Sequence, residues 1–358
     1  MASIALQWNT HYEQGRLTSL RRLAIQIYGD NKSLLLAYEM TKSILISVCL
    51  LVSASNCHAW NRGGHLTTGA IAYQELKATN PAVVDRIVEI MNSTPTPLLI
   101  KRRLDEESTP DSKAERLFME MATWPDEVRP PSEYSKAFHH DTWHYINFIY
   151  VPPVTPDTFI KPEEVTTERI YEAFARNADI VADPKVSDAE KAVALCWIFH
   201  LVGDVHQPLH TTAMFNSEFP EGDRGGNLTK IRVTPTGKVI NLHSFWDGAV
   251  IGSSNIKAAR NKSVKLRTEF PKESLPQLAN RFYATPVTFE SWGQQESAPL
   301  AVSVAYDGGK LLDYSKSDGA YELTQSYVAK AKETADAQLT LAGYRLAAVL
   351  AKINLNPN

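Results

Sequence analysis

Residues 199–210 read FHLVGDVHQPLH, and residues 241–248 read NLHSFWDG. On a helix His200 and Asp204 stand at i and i+4, so both side chains leave one face about a turn apart. His243 and Asp247 repeat that spacing. Pro208 lacks the backbone donor that a helix interior needs. The first helix is therefore expected to end there, leaving His210 on a loop that can fold back. A third pair of segments, ATWPDEVR at 122–129 and HHDTWHYIN at 139–147, supplies Asp126 and His144.

Imidazole and carboxylate are the usual ligands of Zn²⁺ where thiolates are scarce. Taken singly, each residue has a plainer reading, a hydrogen-bonded core histidine or an ordinary ion pair. Two pairs at one spacing, both set among apolar and aromatic residues where an unpaired charge is costly, point together to a metal.

The surrounding pattern is helical. Ser187 and Glu190 form a capping box ahead of AVALCWIFHLVGDV at 192–205. Helix-like spacing also marks 66–77, 80–92 with Pro81 in its first turn, and 112–123 ending near Pro125. The Pro-rich stretches at 129–131 and 152–156 read as loops. Segments 230–233 and 238–242, joined by TPTG at 234–237, read as a short hairpin, and a last helix is expected over 321–352. No repeat, low-complexity tract or internal boundary is visible. The expectation is a mainly α fold, a single domain over 60–358 with one small β-hairpin.

The chain has 358 residues, 44% of them hydrophobic and 22% charged, with a formal net charge of -3. That composition excludes wholesale disorder, a collagen-like repeat and a multi-span membrane protein. The near-neutral balance argues against a basic nucleic-acid binder of the histone type, though not against a protein that grips phosphate through metal. Cys49, Cys57 and Cys196 are too few for a disulfide framework or a thiolate zinc site.

Residues 40–60 read MTKSILISVCLLVSASNCHAW: Lys42, an apolar run at 44–52, then small residues to Ala59. This is the plan of a secretory signal peptide cut after Ala59, with a buried strand or short helix as the plainer alternative. The run is too short to span a bilayer, which takes about 20 residues. Residues 1–39 fit no such plan; they read as an extension upstream of a start at Met40, with a long leader as the other option. Cleavage after Ala59 would leave 32 basic against 37 acidic residues, a charge of -5, and one thiol, Cys196.

WNRGGH at 60–65, ATWPDEVR, WHYIN at 143–147, GDVHQPLH, GGN at 225–227, NLHSFWDG and AGYRLAA at 342–348 together resemble the S1/P1 nuclease family. That family is similar in fold to zinc-dependent phospholipase C. The resemblance spans nearly all of 60–358 and implies three Zn²⁺ in one cluster. Asp126, His144, His200 and Asp204 would hold one ion, and His210, His243 and Asp247 a second. His65, Asp204 and the main-chain amine and carbonyl of Trp60 would hold the third. An amine can ligate only as a free terminus, so the cut after Ala59 would complete the site.

The activity implied is hydrolysis of single-stranded DNA or RNA to 5′-phosphate products, with 3′-nucleotidase activity beside it. Bound Zn²⁺ would lower the pKa of water towards about 7, and six positive charges in one cleft would replace a basic stripe. Arg129, three residues beyond Asp126, matches basic family residues that face phosphate, with a surface arginine as alternative. Asn227 is a second candidate, though Gly-Gly-Asn also suits a plain turn. Tyr134, Phe138 and Tyr145 lie near ligands in sequence and read as core. His206 reads as structural, His139 and His140 have no assigned role, and Cys196 reads as a packed thiol. A monomer, secreted or periplasmic and without stable membrane association, is expected.

Fungal members carry acidic residues at positions matching Asn147 and Ile149, and some carry Asn where Ala249 stands. Those replacements bear on single-strand preference and 3′-nucleotidase activity but leave the ligand set intact. A zinc phospholipase C is the rival enzyme, disfavoured because its last ligand is typically Glu where this chain has Asp247. A non-catalytic zinc-stabilised binding protein is the rival from another class, disfavoured because shared carboxylates leave open metal positions.

Overall fold

Helix α1 (Arg62–Thr79) is the axis around which the molecule is built. In the computed structural model, which describes residues 60–92, 100, 103–132, 134–153, 169–278, 286–312, 319–353 and 355, three helices pack most extensively on α1. These are α3 (Pro110–Glu127), α7 (Ile256–Glu269) and α8 (Gln325–Lys352). Helix α5 (Asp188–Asp204) packs on α3, on α4 (Ile170–Ala182), on α8 and on α2 (Pro81–Asn92). The expected leader at 40–59, the stretch 1–39 and part of the 152–156 loop lie outside the described residues.

The mainly α expectation holds. From Lys191 to Asp204 all but one residue of α5 is buried, and a helix apolar on every side is the signature of a core element. Its start is the capping box read from sequence: the Ser187 hydroxyl accepts from Glu190 N–H at 3.3 Å, and Glu190 Oε2 accepts from Ser187 N–H at 3.4 Å. It ends at Asp204, four residues ahead of Pro208. That proline instead opens a 3-10 turn, Pro208–His210, where a missing donor costs nothing.

Helix α3 differs from expectation, running through Pro125 to Glu127. The proline removes one donor only, and side chains hold the turn that follows. Glu127 pairs with Arg62 and Arg103, and Glu120, fully buried, accepts from Arg62 at 2.7 Å, Arg103 at 2.6 Å and Arg116 at 2.7 Å.

The hairpin is present as β3 (Lys230–Arg232) antiparallel to β4 (Ile240–Asn241), with Lys230 opposite Asn241. Tyr321–Glu322 (β5), expected within the last helix, instead joins β3 as a parallel third strand. Helix α8 begins only after Thr324, whose hydroxyl accepts from Tyr327 N–H. A second, two-stranded sheet was not foreseen. Phe148–Tyr150 (β1) runs parallel to Thr212–Met214 (β2), with Phe148 opposite Thr212. Among the described residues no helix is long and apolar enough to cross a membrane.

Candidate metal centre

The β1–β2 ladder explains how distant histidines meet. Ile146 N–H donates to His210 C=O and Phe148 N–H to Thr211 C=O, both at 2.8 Å. The backbone just after His144 is thereby zipped to the backbone at His210. Helix α5 brings His200 and Asp204 from below, α3 brings Asp126, and α1 brings His65. Helix α6 (Leu242–Asp247), capped by the Asn241 side chain, brings His243 and Asp247. His65, His144, His200, Asp204, His210, His243 and Asp247 are all buried.

Three groups have donor atoms close enough to share an ion: His65 with His200 and Asp204; Asp126 with His144 and His200; and His210 with His243 and Asp247. Asp204 joins the first two groups. Its Oδ1 lies 3.4 Å from His65 Nε2, and its Oδ2 lies 3.2 Å from His200 Nε2 and 3.1 Å from His144 Nδ1. Asp126 Oδ1 is 3.6 Å from His200 Nε2. His243 Nε2 is 3.6 Å from Asp247 Oδ1 and 3.1 Å from His210 Nε2.

Backbone carbonyls set the tautomers. His200 Nδ1 lies 2.8 Å from Ala122 C=O, His210 Nδ1 lies 2.6 Å from His144 C=O, and His243 Nδ1 lies 2.6 Å from Gly225 C=O. A carbonyl can only accept, so each Nδ1 carries the proton and each ring, when neutral, offers its lone pair at Nε2. The lone pairs of His210 and His243 then face one another, an arrangement that a cation between them resolves. Two ligands about 2.05 Å from a tetrahedral Zn²⁺ stand about 3.3 Å apart. The separations of 2.9–3.6 Å among His144, His200, Asp204, His210, His243 and Asp247 bracket that edge. The donor set therefore fits a small divalent cation with nitrogen and oxygen ligands.

Burial pushes the Asp204 carboxyl up to about 6. Burial, with Arg129 next, holds the His144 imidazole well below its ordinary range. Burial also opposes charge on His200, but Asp204 and Asp126 outweigh it and raise its pKa.

The remaining candidates fall as follows. Arg129 is not a surface residue: its side chain is 10% exposed and its Nη2 lies 2.9 Å from Asp126 Oδ1. Asn227 sits in a turn, its amide donating to Arg224 C=O at 2.9 Å. The part of GGN that reaches the cluster is instead the Gly225 carbonyl. Trp60 is buried, its indole N–H donating to Gly203 C=O at 3.0 Å. Glycine at 203 leaves room for the ring, since a Cβ there would stand 3.0 Å from His65 Nδ1, a tight contact that would press on that ligand.

His206 faces away from the cluster. Its Nε2 accepts from Arg345 at 2.8 Å, and Arg345 is clamped by both oxygens of Glu296 and lies over Trp292. His140 stacks on Trp143 with centroids 3.7 Å apart. Cys196 is a buried free thiol. Tyr134 and Phe138 pack against the main core cluster, as read; Tyr145 is half-buried beneath the Arg169 guanidinium.

One residue that touches a ligand escaped sequence reasoning. Gln207, fully buried, donates to Asp247 Oδ1 at 2.9 Å while its own Oε1 accepts from Leu209 N–H at 2.6 Å. Its place between His206 and Pro208 in GDVHQPLH was the available signal.

A family model described as S1/P1 Nuclease matches residues 60–354. The chain is 24% identical over 238 residues to Endonuclease 4 of Arabidopsis thaliana, covering 61% of this chain and 63% of that one. It is 26% identical over 239 residues to Nuclease P1 of Penicillium citrinum, covering 63% of this chain and 81% of that one. With Nuclease S1 of Aspergillus oryzae it is 23% identical over 332 residues, covering 89% of this chain and all of that one.

Proposed function

The chain belongs to the S1/P1 nuclease family, and from that premise we propose that it is a zinc-dependent phosphodiesterase cleaving single-stranded DNA or RNA to 5′-phosphate products. The observation that carries the reading is the His210–His243 pair, whose two Nε2 atoms stand 3.1 Å apart with both Nδ1–H groups spent on carbonyls. Imidazole and carboxylate without thiolate favour Zn²⁺ over Mg²⁺ or Ca²⁺. Asp126, His144, His200 and Asp204 would hold one ion and His210, His243 and Asp247 another. His65, Asp204 and the main chain of Trp60 would hold a third. When bound, the ions supply a water acidified towards a pKa of about 7 and neutralise phosphate charge.

The chain's own groups do the rest. The Nδ1–H bonds to Ala122, His144 and Gly225 keep His200, His210 and His243 in the ligating tautomer without reorganisation. Asp126 holds the Arg129 guanidinium beside the cluster, where a buried positive charge would favour a phosphoester oxygen. Asn227, on the GGN turn with its amide on Arg224 C=O, would be the weaker substrate contact.

The signal-peptide reading joins this site. Cleavage after Ala59 would free the Trp60 amine, and the anchoring of the segment supports its use. Asn61 caps α1 through Gly64 N–H at 3.0 Å, Asn61 N–H donates to Asp247 C=O at 3.1 Å, and Arg62 is tied to Glu120. The mature protein would be a secreted or periplasmic monomer.

The test is incubation of the zinc-loaded protein with single-stranded DNA, RNA and phosphatidylcholine, with and without chelator, and analysis of product ends. Chelator-sensitive release of 5′-phosphate ends is expected. Hydrolysis of phosphatidylcholine alone would favour the lipid reading, and no phosphoester hydrolysis at all would sink the enzyme reading. Active protein whose first residue is not Trp60 would refute the processing proposal.

A further inference from the structure

His243 donates a ring and a backbone hydrogen bond to the same loop. Gly225 C=O accepts from Nδ1 at 2.6 Å, and Gly226 C=O accepts from His243 N–H at 3.3 Å. That loop is conformationally unusual: Arg224, Gly225 and Gly226 have φ of 57°, 60° and 81°, three consecutive left-handed residues. Such a run carries a cost that surrounding contacts have to offset. A Cβ on Gly225 would also lie 2.3 Å from Leu209 C=O, so the loop is pressed against the turn that carries His210.

The contacts that hold it converge on one fully buried carboxylate, Asp223. Its Oδ1 accepts from Met214 N–H at 2.9 Å and from Tyr306 O–H at 2.9 Å, and its Oδ2 accepts from Thr229 O–H at 2.8 Å. Its backbone continues the frame, with Asp223 N–H donating to Met214 C=O at 2.9 Å and Leu228 N–H donating to Asp223 C=O at 3.0 Å. Met214 is the last residue of β2, the strand that follows His210, and Thr229 precedes β3. One side chain therefore ties together the strand leaving His210, both ends of the Gly-Gly loop, and Tyr306.

A carboxylate is an expensive way to close a buried loop if closure is all that is needed, because a charge must be desolvated. What it gives is direction: three donors from three elements fix the loop's position as packing of a Leu would not. We propose that Asp223 is a positioning residue for the His210–His243–Asp247 group, holding the Gly225 carbonyl where it keeps His243 Nε2 aimed at His210 Nε2. This rests on the reading of that group as a metal site.

The experiment measures zinc stoichiometry and chelator-competition affinity on the purified protein and on Asp223→Asn, Tyr306→Phe and Thr229→Val. Asn keeps one acceptor oxygen; Phe and Val each remove one donor while leaving the carboxylate. The expected result is selective: the ion of the His210 group is held roughly ten- to a hundredfold more weakly. The ions of the groups built on His65, Asp126, His144 and His200 are unchanged. Unchanged affinity for every ion in a folded Asp223→Asn protein overturns the proposal. So does uniform weakening of all ions, which marks a general structural role. Should Asp223→Asn fail to fold, Tyr306→Phe and Thr229→Val decide, and unchanged affinity in both overturns it. If the unaltered protein holds no ion at the His210 group, it is the metal reading that fails, a result distinguishable from all of these.

Discussion

Replacing Asp204 by Asn separates what the cluster costs the fold from what it does for metal. Asp204 is fully buried, and its carboxyl is pushed from 3.8 up to about 6, mainly by that burial. A folded-state pKa raised above the unfolded value means that the native state binds the extra proton. Unfolding free energy therefore falls as pH rises from about 4 to about 6, and the full penalty is present above that window. At 1.36 kcal/mol per unit, the ionised group costs the metal-free protein about 3 kcal/mol near pH 8. Asparagine carries no charge, so metal-free Asp204→Asn should be more stable than the unaltered chain at pH 8, by at most that amount. The difference should shrink towards zero near pH 4. If the cluster holds zinc as proposed, excess zinc should reverse the order, because Asn supplies no anionic bridge between the His65 and the His144–His200 groups. The assay is urea denaturation at pH 4, 6 and 8, in chelator and in excess zinc. A metal-free Asp204→Asn protein less stable than the unaltered one at pH 8 would refute the reasoning. It would show that neighbouring imidazolium groups already compensate the carboxylate.

Gln207→Leu removes the amide that donates to Asp247 Oδ1 and should weaken zinc at that group about 10- to 100-fold, read by chelator competition. Gly225→Ala meets both a φ of 60° and an obstructing Leu209 carbonyl; thermal melts should show a loss of at least about 1–3 kcal/mol, with wild-type stability refuting the close approach. Glu120→Gln removes the charge shared by Arg62, Arg103 and Arg116 and turns one of the two acceptor oxygens into an NH2 group that faces their donors. Arg62 and Arg103 are 30% and 29% exposed, so the loss should lie near the lower end of the buried-pair range, about 3 kcal/mol by denaturant titration.

The helices were legible because their signals are local. The capping box at Ser187, the unbroken apolar run of α5 and the i, i+4 spacing of His200 with Asp204 each sit within a few residues. The misread ends have tertiary causes. Pro125 stays inside α3 where Glu127 is gripped by Arg62 and Arg103, residues from outside that helix. Tyr321–Glu322 is a strand because β3 offers it a free edge.

The sequence by itself determined which side chains could ligate, since imidazole and carboxylate are written in the residue letters and their pairing follows helical periodicity. Only the tertiary structure decided how they are shared and aimed. It placed the two oxygens of Asp204 between separate histidine groups, turned Arg129 onto Asp126, and sent His206 away to Arg345 and Glu296. The reason is physical. Ring orientation here is set by the carbonyls of Ala122, His144 and Gly225, and every residue has a carbonyl. No letter in the chain says which ones will stand 2.6–2.8 Å from a histidine until the backbone has folded.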